Sequence, residues 1–103
     1  VPAGTTIFSE GDTGDCMYYL HRGCVDIIID GKCVSQLGAG NIFGELSLID
    51  GSARSATVRT SDDSEISRID SETFLNLVSE SPHVSLDIMK MIAGRLRRLN
   101  QLL

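Results

Sequence analysis

Nine of the ten glycines fall before residue 52, and this skew constrains the fold more than any other feature of the chain. A segment so rich in glycine fits short elements with sharp corners, as in a small barrel or jelly roll. Between the glycines, short runs of Ile, Val, Tyr and Thr are broken at roughly 8- to 12-residue intervals by Gly and Asp, the punctuation of an antiparallel β protein. Strands are expected over residues 6–8, 16–21, 24–29, 32–37, 54–60 and 65–69. Alternation is clearest at Val25, Ile27 and Ile29, with Asp26 and Asp30 out of phase, and again at Ala56 and Val58. Turns fall at 11–14, 22–23, 30–31 and 38–41, and Asp30-Gly31 between two strands is the strongest hairpin signal. Gly11, Gly14 and Gly23 read as turn residues, and Tyr18 and Tyr19 as one core and one surface position of a strand.

After Asp70 the period changes from 2 to about 3.6. Asp70 caps a short helix with Phe74, Leu75 and Val78 on one face. Ser81-Pro82 then reads as a cap followed by proline at the first helical position. A second helix running from there to Leu103 would be about 33 Å long. Its Met89, Ile92, Leu96, Leu99 and Leu103 repeat at spacings 3, 4, 3, 4, a coiled-coil type of stripe. The expected fold is therefore mainly β: an antiparallel β-barrel or jelly roll (a double-stranded β-helix), a short helix and a long C-terminal helix.

Composition excludes several function classes. The net charge is −5, opposite to the basic surface that a nucleic-acid backbone requires. Residues 82–103 hold four basic side chains and one acidic, but Arg95, Arg97 and Arg98 there complement a helix C-terminus. No apolar run approaches the 18 or more residues of a membrane span and no leader is evident, so a cytoplasmic domain without a membrane span is expected. Cys16, Cys24 and Cys33 form neither a metal pair nor a disulfide framework, and read as small strand residues in a reducing compartment. A metal-dependent β-barrel enzyme would need His-x-His with further ligands, whereas His21 and His83 stand alone. No metal and no catalysis are expected.

The informative stretch is FGELSLIDGSARSATV, residues 43–58. A helical turn opening after Gly44 would present unpaired backbone N–H groups, an anion site. Arg54 follows, and its planar fork can hold two phosphate oxygens at once. Glu45 only accepts hydrogen bonds when ionised, which suits a sugar hydroxyl beside a phosphate, although it could also pair with a basic side chain such as Arg54.

This segment resembles the phosphate-binding cassette of the cyclic-nucleotide-binding domain family, which includes catabolite-activator-type regulators, regulatory subunits of cyclic-AMP-dependent kinase and cyclic-nucleotide-gated channels. The family pattern is matched throughout except for a proline, replaced here by Ala53. A second family motif appears as GDTGDCMYYLHRGCVDI, residues 11–27. The family's usual N-terminal helix is not seen before Val1. The resemblance implies that Gly44, Glu45, Leu46 and Ser47 line the sugar-phosphate side, with Glu45 accepting from the 2′-hydroxyl. It implies that Arg54 binds the exocyclic phosphate oxygens and that Ser55 and Ala56 complete the cassette. Ile27 and Val34 would form an apolar floor under the base, and Arg95 would stand near the ligand. Leu99 and Asn100 occupy positions that read adenine through hydroxyl residues in bacterial regulators. Asn100 retains hydrogen-bonding capacity toward a purine edge, while Leu99 can only cover it.

The implied function is a cyclic-nucleotide sensor within a single domain, 1–103: a β-roll (1–69) carrying the cassette (43–58), and a helical lid and dimerisation segment (70–103). Ser55 after the cassette arginine leans toward cyclic AMP, with cyclic GMP as the alternative. Ligand occupancy would reposition the C-terminal helix to regulate an attached or associated effector, as in catabolite-activator-type regulators. The expected partners are the nucleotide and a second copy of the chain, with no direct DNA binding by this chain. A ligand-independent dimerisation module of the same fold is the competing reading.

Overall fold

The computed structural model of this 103-residue chain describes residues 1–80 together with positions 82, 83, 86, 87 and 90. It divides into two compact units, Val1–Ser71 and Glu72–Leu103. The first contains β1 (Thr6–Phe8), β2 (Cys16–Arg22), β3 (Cys24–Ile29), β4 (Lys32–Gly38), β5 (Ile42–Phe43), α1 (Glu45–Asp50), β6 (Thr57–Thr60) and β7 (Glu65–Asp70). These strands form a four-stranded sheet of order β1-β6-β3-β4 and a three-stranded sheet of order β5-β2-β7. Every pairing is antiparallel. This is the expected jelly-roll class.

The Asp30-Gly31 hairpin forms as its sequence dictates. Ile29 pairs with Lys32, and the two residues between them have φ of 51° and 76°, the left-handed pair that a type I′ turn needs. Farther up the same ladder Ile27 faces Ser35 while Ile28 faces Cys33, so Val34 is the extra residue of a bulge.

Leu20, Val25, Leu37, Phe43 and Val58 form the core, one residue each from β2, β3, β4, β5 and β6. The two sheets thus share one apolar interior. Leu20 is fully buried, and Leu20→Ala is expected to lower unfolding free energy by about 2–5 kcal/mol, read as a lower urea midpoint with an unchanged slope.

Two elements depart from the sequence expectation. The strand expected over 54–60 begins only at Thr57, and a two-residue strand, β5, occupies a stretch read as loop and the start of the cassette. Beyond the roll, α2 (Ser71–Glu80) is the expected short helix, with Phe74 and Val78 half-buried and Leu75 exposed. The long-helix stripe from Met89 to Leu103 lies outside the described residues. No helix among the described residues is long and apolar enough to cross a membrane.

Candidate functional site

The segment between β5 and β6 is shaped by two left-handed glycines. Gly44 stands at the N-cap of α1 with φ 77°, and Gly51 at its C-cap with φ 71°, where the Gly51 N–H donates to Ser47 O at 3.0 Å. A reversal of this kind at both ends of a six-residue helix suits glycine, which lacks the Cβ that would meet the following carbonyl. On α1, Glu45 and Ser47 are buried at 5% exposure while Leu46 is 51% exposed. The helix therefore turns Glu45 and Ser47 inward and Leu46 outward, the reverse of an ordinary surface helix.

Arg54 is the centre of the site, and only 5% of it is exposed. Its backbone is tied to the 11–14 turn, donating from N to Asp12 O and accepting at O from Gly11 N, each at 2.8 Å. Its side chain donates from Nη1 to Gly44 O at 2.8 Å and from Nη2 to Cys16 O at 2.9 Å, with Cys16 Sγ 3.4 Å away. The guanidinium carbon lies 4.2 Å from the Phe8 ring centroid and 5.9 Å from that of Tyr18. Arg54 Nε is buried with no hydrogen-bond partner among the described residues. Two glycines make room for the group: a Cβ on Gly14 would collide with Nε and with Cζ, and one on Gly44 would lie 2.6 Å from Nη1.

Aromatic packing supports this arrangement. Tyr18 stacks on Phe43 with centroids 5.3 Å apart, and Phe8 lies 5.9 Å from Tyr18 and 6.1 Å from Phe43. Burial pushes the Tyr18 phenol above its ordinary value of 10.0, and hydrogen bonding with Cys16 adds to the shift. The folded state thus favours the neutral phenol, and its contribution is whole below pH 10 and falls as pH rises through the higher folded value. Alkaline titration of wild type against Tyr18→Phe is expected to show the wild type losing stability more steeply above about pH 10.

The expected residues are distributed as follows. Gly44 and Arg54 are joined by a direct hydrogen bond, and Glu45, Leu46 and Ser47 follow on α1. Ser55 is exposed and Ala56 buried. Ile27 packs against the core from β3, and Val34, at the bulge, is 55% exposed. Arg95, Leu99 and Asn100 lie outside the described residues. Tyr18 and Tyr19 are both half-buried, the first on the core aromatics and the second edge-on to His21. The three cysteines are free strand thiols. Among the described residues no group of three or more metal-ligating side chains occurs. His21 Nε2 lies 2.6 Å from Ser67 Oγ, a surface contact between exposed residues.

Sequence reasoning missed Phe8, Gly14, Cys16 and Tyr18 as neighbours of Arg54. Gly14, Cys16 and Tyr18 belong to the 11–27 motif and Phe8 precedes it, but only the folded chain brings them against Arg54, 38 positions after Cys16.

The family model described as "Cyclic nucleotide-binding domain" matches residues 1–81. A cyclic nucleotide-gated potassium channel of Rhizobium etli is 39% identical over 95 residues, covering 92% of this chain and 26% of the channel. The catabolite activator protein of Thermus thermophilus superposes with a TM-score of 0.85 at 32% identity, over 98% of this chain and 50% of that one. The EAL enzyme Bd1971 is 38% identical in its cyclic-AMP-bound and cyclic-GMP-bound structures, with TM-scores of 0.69 and 0.71. These cover 97% and 98% of this chain and 28% of the enzyme in each case. The chain therefore spans a half or less of each of these relatives.

Proposed function

Because this chain belongs to the cyclic nucleotide-binding domain family, we propose that it is a cyclic AMP sensor whose phosphate contact is Arg54. The observation that carries this reading is the Nε of Arg54, buried beside Gly14 and without a hydrogen-bond partner among the described residues. A buried N–H without an acceptor is costly, and a cyclic phosphate supplies a charged acceptor of the right sign. Nη1 and Nη2 are committed to Gly44 O and Cys16 O, which aims the fork before any anion arrives. Such preorganisation lowers the ordering cost of binding.

Glu45 takes the ribose 2′-hydroxyl, and Ser47 and Ser55 add polar contacts to the sugar phosphate. Ile27 and Val34 cover the base; Arg95 and Asn100, proposed as further ligand contacts, lie outside the described residues. Occupancy orders the cassette, and the exposed Leu46 then favours one docking position of the C-terminal segment. A second copy of the chain pairs through the 3,4 stripe, and the shift reaches an attached or associated effector, as in a catabolite-activator-type regulator. Cytoplasmic location and the lack of catalysis or DNA binding by this chain belong to the same proposal.

Cyclic GMP is the second reading, favoured by Bd1971, a relative whose solved forms carry each nucleotide. Calorimetric titration with both nucleotides decides the matter. Saturable binding with cyclic AMP the tighter ligand is expected, and tighter cyclic GMP reverses the ranking. No heat and no thermal shift with either ligand would overturn the sensor reading and leave the dimerisation module.

A further inference from the structure

We propose that Phe8 is a positioning residue of the phosphate site, its ring face setting the plane of the Arg54 guanidinium; this rests on the cyclic nucleotide reading above. Two hydrogen bonds, to Gly44 O and Cys16 O, fix the far corners of the fork but leave it free to tilt about the line between them. A third constraint off that line is needed to aim Nε, and Phe8 supplies it with its ring centroid 4.2 Å from Cζ. The negative face of the ring also offsets part of the cost of burying a cation.

The backbone shows how Phe8 comes to be there. In the β1–β6 ladder Thr6 faces Arg59 while Phe8 faces Val58, so β1 spends an extra residue, Ile7, just before the ring. Bulges of this kind bend a strand and re-aim the side chain that follows. The ring is then seated against the core cluster, beside the stacked pair of Tyr18 and Phe43. Gly14 completes the slot, since a side chain there would occupy the space of Nε and Cζ. The platform is thus anchored in the interior while the group it carries serves the ligand.

The test uses the whole chain with cyclic AMP as probe. Phe8→Leu is expected to weaken binding by about tenfold, while Phe8→Tyr, which keeps the ring face, stays within about twofold. Phe8→Met refills the volume without a ring and should follow Leu, which covers the case in which Leu opens the core. In the ligand-free protein, the Arg54 Nε–H should exchange with solvent at least about tenfold faster in Leu and Met than in wild type and Tyr, because a fork no longer held flat opens to water. Wild-type affinity in Leu and Met, equal loss in Tyr and Leu, or unchanged Nε–H exchange in Leu and Met would each overturn the proposal. If wild type binds neither cyclic AMP nor cyclic GMP, the sensor reading falls, and the exchange rate alone still decides whether Phe8 sets the arginine.

Discussion

Arg54→Ala should weaken cyclic AMP binding by at least about tenfold, because hydrogen bonds to a charged group contribute about 1.5–3 kcal/mol. The expected loss exceeds that of any other single truncation in the cassette, since one side chain supplies both the charge and its placement. It also destabilises the fold. The guanidinium joins Gly44 in the cassette to Cys16 on β2, and removing it strands two carbonyl acceptors, at about 1–3 kcal/mol for each that stays buried. Titration calorimetry and urea unfolding on one sample read the two effects separately. Arg54→Lys discriminates charge from geometry. An ammonium on a flexible stem keeps the sign but lacks the planar fork, so it cannot satisfy two carbonyls and present a third N–H in one plane. Lys is therefore expected to bind more weakly than wild type and to regain only part of what Ala loses. Wild-type affinity in the alanine variant would mean that the phosphate sits elsewhere.

Most strand boundaries fall within one residue of expectation, because Gly and Asp turns punctuate the chain at short intervals; alternating burial is clear in β6 but absent from β2 and β4. Two elements escaped for different physical reasons. β5 is two residues long and exists through its ladder with β2, where Tyr18 faces Phe43 and Tyr19 faces Ile42. No local period can announce so short a strand. The false start at Arg54 has the opposite origin. Arg54, Ala56 and Val58 are all buried with exposed Ser55 between the first two, so the strand alternation is real. The backbone of Arg54 nevertheless bonds Gly11 and Asp12, outside the β1–β6 ladder. Burial alternates there without a strand.

For the site, the residue types announced the chemistry but not its support. A glycine, a glutamate and an arginine within one loop were readable from the chemistry of anion and hydroxyl recognition. The slot around the arginine was not, because it is assembled by β1, the 11–14 turn and β2. Gly14 reads as a turn residue by every local criterion, and its second duty as the wall of the Arg54 slot is visible only when the side chain is in place.

Gly44→Ala is expected to damage both fold and site, and Gly51→Ala separates the causes. Both glycines have left-handed φ, 77° and 71°, so each substitution incurs similar backbone strain, about 1–2 kcal/mol. Around Gly51 a new Cβ meets no atom of the described residues within 4 Å, and the loss should stop there, with cyclic AMP affinity within about twofold of wild type. At Gly44 the Cβ lies 2.6 Å from Arg54 Nη1 and 3.2 Å from Phe8 Cε2. The arginine must give way, yet the bond that holds it runs to the carbonyl of the same residue. Overpacking adds about 1–3 kcal/mol to the strain, and displacement of the fork should weaken cyclic AMP by at least about tenfold. Equal stability losses in the two variants, with equal affinities, would show that Arg54 relaxes freely and that its placement does not depend on the bare backbone at Gly44.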